Sequence, residues 1–251
     1  MLASQDHIGI LKSGAGNWNK WREENKTTKP ELEFAYLRSA DLGGANLAGA
    51  YLDSAYLRGA YLRGTDLAGA NLAGANLEGA DLAGARLGGA NLERANFGKA
   101  SLREASLENA HLYSANFAGA DLAGADLTGA NLEGADLGKT DLRKASLERA
   151  PLYSANLGGA NLGGARFAGA NLAGANLEAA NLEGADLSKV TSFYKAKLDP
   201  GILSKIKAEW PEKLATFWDD TKKEWIIDTT LLEKVKSTDW HGWPEGKDHG
   251  K

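Results

Sequence analysis

The chain is 251 residues long, 43% hydrophobic and 25% charged, with a formal net charge of −4. This is ordinary for a soluble protein of one extended domain or two compact ones. It has no cysteine, which excludes disulfides and thiolate metal sites, and the charge is too mild to argue a nucleic-acid partner or a strongly acidic mimic. The imbalance lies wholly in the middle: residues 35–190 hold 13 basic and 17 acidic residues, whereas 1–34 and 191–251 are balanced.

The start, MLASQDHIGILKSG, has no basic leader region, and its apolar run is broken by polar residues. It is expected to be neither a signal peptide nor a membrane span, which makes the cytoplasm the default location. Ile8, Leu11, Ala15 and Trp18 fall at helical spacing, with Trp21 and Arg22 following. This predicts an amphipathic helix, interrupted near Gly14 and Gly16, laid over whatever comes next.

From Leu32 to Leu187 a Leu or Phe falls at every fifth position, and two residues before each stands Ala, replaced only by Pro30, Thr65 and Thr140. A period of five would scatter these residues around every side of an α-helix or a flat strand. The backbone must instead turn a corner about every five residues. If four short sides close a square, one coil takes twenty residues and every Leu or Phe points inward. Residues 30–189 then make 32 repeats and eight coils. At ~4.8 Å per coil the rod is roughly 38 Å long. Phe97 and Phe117 fall on one face in consecutive coils and should stack, while Phe167 stands alone. Gly recurs at the fifth position (Gly44, Gly49, Gly59), where a corner favours positive φ.

The pattern A-[DN]-L-x-x, as in ADLAG, ANLEG and ADLTG, resembles the pentapeptide-repeat family. The preceding segment WNKWREEN resembles the leader of many bacterial members, a group abundant in photosynthetic bacteria. The resemblance implies an all-β solenoid, a right-handed quadrilateral parallel β-helix. Phase, coil count and inward residues come from the sequence itself.

At Val190 the register slips by one residue, and Phe193 and Leu198 continue it for two more sides. Asp199-Pro200 predicts a helix start, with Ile202, Leu203 and Ile206 on one side. ATFWDDTKKEWIID suggests a hairpin, TTLLEKVK a last helix, and WHGWPEGKDHGK a mobile tail. An open β-helix exposes unpaired peptide groups at its ends, so the division expected is a helical cap over 1–29, the β-helix over 30–198, and a mixed α/β cap with tail over 199–251. All seven Trp lie in the end segments, where they serve either cap packing or a partner surface.

His111, in HLYSAN, tempts a catalytic reading, but the duplicate PLYSAN forty residues on lacks the histidine. It reads as an outward position between Asn91 and Asn131. Asp121, Asp126, Asp136 and Asp141 could suggest glycosidase carboxylates, yet all occupy the slot just before Leu, which is Asn, Asp or Ser almost everywhere. A catalytic pair needs one carboxyl in a distinct environment. Arg63, Arg103 and Arg143 form a stripe beside the column Asp41, Tyr61, Asp81, Ser101, Asp121, Asp141, and cross-coil ion pairs are expected there. No catalytic, metal or cofactor residues are assigned.

In the first two coils the outward slot is instead Tyr36, Tyr51, Tyr56 and Tyr61, with Arg38, Arg58 and Arg63 beside them. Tyr and Arg are enriched in interface hot spots. The expectation is a non-enzymatic scaffold, monomeric or weakly dimeric, that presents rigid faces to a protein partner through these seven residues, with no direct nucleic-acid or membrane binding. Two alternatives stay open: a DNA mimic acting on a type II topoisomerase, as some members of the resembled family do, and a carbohydrate-active β-helix enzyme. The tyrosines also suit a sheet by β-propensity, and the N-terminal helix could cover them.

Overall fold

The computed structural model describes residues 4–237 and 239–243. Along the repeats each side is one short parallel bridge followed by a two-residue turn. Bridges join residues twenty apart: Glu31 to Tyr51 to Asn71 on a first face, Tyr36 to Tyr56 to Asn76 on a second, Asp41 to Tyr61 to Asp81 on a third, and Asn46 to Asp66 to Arg86 on a fourth. The four-sided, twenty-residue coil follows from this separation.

The inward column is buried throughout, apart from Leu182 near the C-terminal end, which is only partly buried. No bridged coil continues over the third face there. Each central Leu contributes about 1.5–3 kcal/mol before chain entropy is subtracted. Phe97 and Phe117 stack with centroids 4.8 Å apart and planes within 1°. The corner residue takes positive φ whether it is Gly44 (68°) or a residue with a side chain, such as Lys99 (58°). Coil stacking therefore imposes the left-handed conformation even where its cost is not relieved by glycine.

Thr65 and Thr140, which replace the small Ala, are buried. Their Oγ1 atoms donate to the carbonyls of Leu42 (2.8 Å) and Phe117 (2.9 Å) in the coil below. Thr140→Val keeps the volume and removes the bond, so a loss of about 1 kcal/mol is expected from the urea midpoint at unchanged slope.

The outward slot prefers Asn or Asp for a reason the structure makes plain. The side-chain Oδ1 accepts the backbone N–H two residues on, as Asn96 does from Gly98 (3.0 Å). An Asn in the next coil then donates Nδ2 to the same oxygen, as Asn116 does to Asn96 (3.0 Å). Asp can accept in this ladder but cannot donate, so Asp136 receives Asn156 (2.9 Å) and ends the run below it.

Before the coils lie α1 (Gln5–Lys12) and α2 (Ala15–Glu24), broken at Gly14, whose φ is 109°. Leu11 and Trp18 are fully buried against the first coil. Trp18 Nε1 donates to the Asn46 carbonyl (2.7 Å), and Arg22 donates to the carbonyls of Thr28 (2.7 Å) and Ala48 (3.0 Å).

After the coils the register shifts by one, Asn171 pairing with Ser192 and Asn176 with Lys197. Helix α3 (Pro200–Glu209) begins at Pro200, but the Asp199 carboxylate does not cap it. It accepts instead from the N–H of Ala179 (2.9 Å), an open group of the last coil. A one-turn helix α4 (Glu212–Ala215), not foreseen from sequence, leads into the antiparallel hairpin β1 (Thr216–Asp219) and β2 (Glu224–Ile227), and then α5 (Thr229–Lys236). Lys213 Nζ crosses to the carbonyls of Ser188 and Val190 (both 2.6 Å).

The expected mobile tail needs correction over its first residues. Trp240 and Trp243 pack edge to face (5.7 Å), Trp243 meets Tyr194 (5.1 Å), and Lys207 Nζ donates to the Trp240 carbonyl (2.8 Å). Two large rings with a docked lysine hold this stretch to α3. Residues 244–251 of the expected tail lie outside the described residues.

Candidate interaction surface

The catalytic alternatives weaken once the side chains are placed. His111 is exposed and bridges Asn91 and Asn131. Asp121, Asp126, Asp136 and Asp141 each accept the N–H two residues on, at 3.0 to 3.1 Å. They hold the turn, as Asn does elsewhere. Among the described residues no group of His, Cys, Asp or Glu is arranged to hold a metal ion, and no helix is long and apolar enough to cross a membrane.

The arginine stripe is paired. Arg63 meets Asp81 (3.1 Å) and Arg103 meets Asp121 (2.9 Å) across coils, whereas Arg143 turns back onto Asp141 of its own repeat (2.5 Å). The hydrogen bond from Arg143 holds the Asp141 carboxyl below its ordinary range. A carboxyl depressed in the folded state adds stability that is present above its unfolded pKa, about 3.9, and is lost as pH falls through the lower folded value. Asp141→Asn should therefore flatten the acid limb of a melting-temperature profile slightly and leave neutral pH nearly unchanged, because the pair is solvent-screened.

The tyrosines are arranged as a patch. Tyr36 is 73% exposed and Tyr61 57%, with Tyr56 and Tyr51 less so. Tyr36 and Tyr56 stack with centroids 4.7 Å apart and planes within 2°. Tyr51, on the first face, carries Lys29 Nζ over its ring at 5.4 Å. Helices α1 and α2 do not cover these rings. Of the neighbouring arginines, Arg58 pairs with Glu78 (3.5 Å) and Arg63 with Asp81, while Arg38 makes no ion pair among the described residues. The structure thus groups Tyr36, Tyr56, Tyr61, Arg38, Arg58 and Arg63 around the second and third faces and sets Tyr51 on the first.

The tryptophans divide. Trp18 is fully buried, whereas Trp218 and Trp225, opposite one another across β1 and β2, form an exposed edge-to-face pair at 5.6 Å. Sequence reasoning could not separate these two uses.

A family model described as pentapeptide repeats matches in eight copies, over residues 31–69, 61–98, 90–129, 120–158 and 150–188. Among solved structures, the chain is similar to HetL, a pentapeptide-repeat protein involved in heterocyst differentiation regulation in the cyanobacterium Nostoc sp. strain PCC 7120. The two are 36% identical, with 61% of this chain and 79% of HetL covered at a TM-score of 0.49. Rfr23 from the cyanobacterium Cyanothece 51142 is 33% identical over 47% of this chain and 91% of its own, with a TM-score of 0.42. A trypsin-treated variant of QnrB1, a plasmid-mediated fluoroquinolone resistance protein, is 22% identical over 67% and 81%, also at 0.42. No curated protein matches the chain. The matched family is a repeat architecture rather than a catalytic domain. With the model spanning residues 31–188 and twenty-residue bridges running through the same span, the chain belongs to the pentapeptide-repeat family and folds as a right-handed quadrilateral β-helix.

Proposed function

We propose that the protein is a non-enzymatic scaffold whose N-terminal coils bind a protein partner through Tyr36, Tyr51, Tyr56 and Tyr61, with Arg38, Arg58 and Arg63 around them. The observation that carries this reading is the exposure of four tyrosines, close together, in the slot that most of the rod fills with Asn, Asp or Ser. Rings on a rigid β-helix lose little rotamer freedom when covered, so contact area is gained at low entropic cost. The end segments are proposed as caps, separate from this binding role, over residues 1–29 and 199–251.

Replacing Tyr51, Tyr56 and Tyr61 together by Asn installs the residue common at this slot. The coils should keep their far-UV circular dichroism and melt nearly unchanged, since surface changes of this kind are usually worth within about 0.5 kcal/mol each. Proteins captured from native lysate by the wild type should be lost. Retained capture, or a large drop in melting temperature, would show that the rings pack the rod rather than bind a partner.

A further inference from the structure

The peptide edge of the first coil is capped on only two of its four sides, although Leu32, Leu37, Leu42 and Leu47 inside it are all fully buried. Each coil bonds to the one below through the N–H and C=O of its outward slot residue, as Tyr56 N–H does to Ala35 and Tyr56 C=O does from Leu37. In the first coil these downward groups belong to Glu31, Tyr36, Asp41 and Asn46. Glu31 N–H donates to His7 Nδ1 (3.1 Å), and its carbonyl accepts from Ser4 N–H (3.0 Å). Asn46 N–H donates to Asn19 Oδ1 (2.7 Å), and its carbonyl accepts from Trp18. The N–H and C=O of Tyr36 and Asp41 have no partner among the described residues. Helices α1 and α2 thus leave a parallel sheet edge open on the second and third faces.

Two further features sit at that edge. Tyr36 is the lowest ring of a stack: Tyr56 covers one side of it, and the other side faces away from the rod. Beside it opens a groove of about 500 Å³ lined by Lys12, Ser13, Gly14, Tyr36, Arg38 and Asp41. Asp41 Oδ1 accepts from the N–H of Gly43 (3.2 Å), and the groove carries two positive charges, Lys12 and Arg38, against the single carboxylate of Asp41.

We propose that this edge receives an extended peptide segment of the partner by parallel strand addition, and that the segment reads aromatic, small, acidic. The rod itself supplies the template. A slot residue bonded beneath Tyr36 would stand to it as Tyr36 stands to Tyr56, so an aromatic side chain continues the stack. The next residue points inward beneath Leu37, which is already fully buried, so only a small side chain fits there. The one after lies beneath Arg38, one coil away in the same column in which Glu78 pairs with Arg58. Main-chain bonds supply affinity and alternating side chains supply selectivity, as in strand addition generally. The inference rests on the proposal that this end of the rod binds a protein, but uses the backbone edge rather than the outer face.

The test is fluorescence anisotropy with a fluorescein-labelled decapeptide, AYAEGANAAG, against the full-length protein. Saturable binding is expected. Changing the peptide tyrosine to Asn should weaken it by about 2- to 13-fold, the range an aromatic pair supplies. Methylating the amide nitrogen of the alanine that follows the tyrosine, whose N–H would donate to the Tyr36 carbonyl, should abolish it. Tyr36→Asn in the protein should remove the peptide's preference for tyrosine, and Arg38→Glu should be rescued by a peptide carrying Arg in place of Glu. Absence of saturable binding, or binding indifferent to both the methylated amide and the tyrosine, overturns the proposal; the peptide variants decide it even if a protein variant misfolds. Lost lysate capture in the Tyr51, Tyr56 and Tyr61 variant without peptide binding rejects the edge alone. Peptide binding with capture retained in that variant rejects the face alone.

Discussion

Trp18→Ala is expected to release the N-terminal segment from the rod and convert a monodisperse protein into concentration-dependent oligomers. Trp18 is fully buried, touches Trp21 with ring centroids 5.0 Å apart, and holds the Asn46 carbonyl through Nε1. Truncating a buried Trp costs about 3–5 kcal/mol, more than two short helices of eight and ten residues can replace from other contacts. Once α1 and α2 lift, Leu32 and Leu37 and the lower peptide groups of Glu31 and Asn46 are open to a second chain. Light scattering coupled to size exclusion reads the oligomers, and far-UV circular dichroism checks that the coils persist. Trp18→Phe keeps most of the packing and loses the hydrogen bond, so about 1 kcal/mol is expected. Deleting residues 1–29 should reproduce the alanine result. A monomeric truncation with unchanged melting would remove the capping role from this segment.

Phe117→Ala should be the most damaging single change inside the rod. The residue fills the inward position of its coil, lies against Phe97 at 4.8 Å, and its carbonyl receives Thr140 from above. The loss is about 3–5 kcal/mol, a fall of roughly 10 °C at about 2–4 °C per kcal/mol. Because each coil is stable only against its neighbours, the cavity weakens two interfaces at once, and a separate early transition is expected in calorimetry. Phe117→Leu restores the residue found at most inward positions and should cost under about 1.5 kcal/mol. Equal effects from the two variants would mean that the column tolerates voids and that the polar ladders carry the stack.

The period of five was legible because the rod has translational symmetry. One residue's environment recurs at every five positions around a coil and every twenty along the axis, so the phase of Leu32, the Phe97–Phe117 stack and the Tyr36–Tyr56 stack could all be read from spacing alone. The tyrosine patch stood out as a departure from that regularity. Ion pairing was only half legible: the shared column of Arg63, Arg103 and Arg143 was visible, but whether each reaches across a coil or back to its own repeat depends on rotamers.

The ends have no period to read. Trp18 meets Asn46 across 28 residues, Lys213 meets Val190 across 23, and Lys207 meets Trp240 across 33, and no sequence interval announces these contacts. Composition and helical spacing were enough to locate the hairpin and the end helices other than α4. Which faces they cover was decided by tertiary packing alone, because an amphipathic helix specifies that it must bury one side without specifying against what. The sequence by itself therefore determined the rod, its four faces and the residues on each. The tertiary structure decided that α1 and α2 close the faces of Glu31 and Asn46 and leave that of Tyr36 open, since only the docked helices choose which peptide groups of the first coil find a partner.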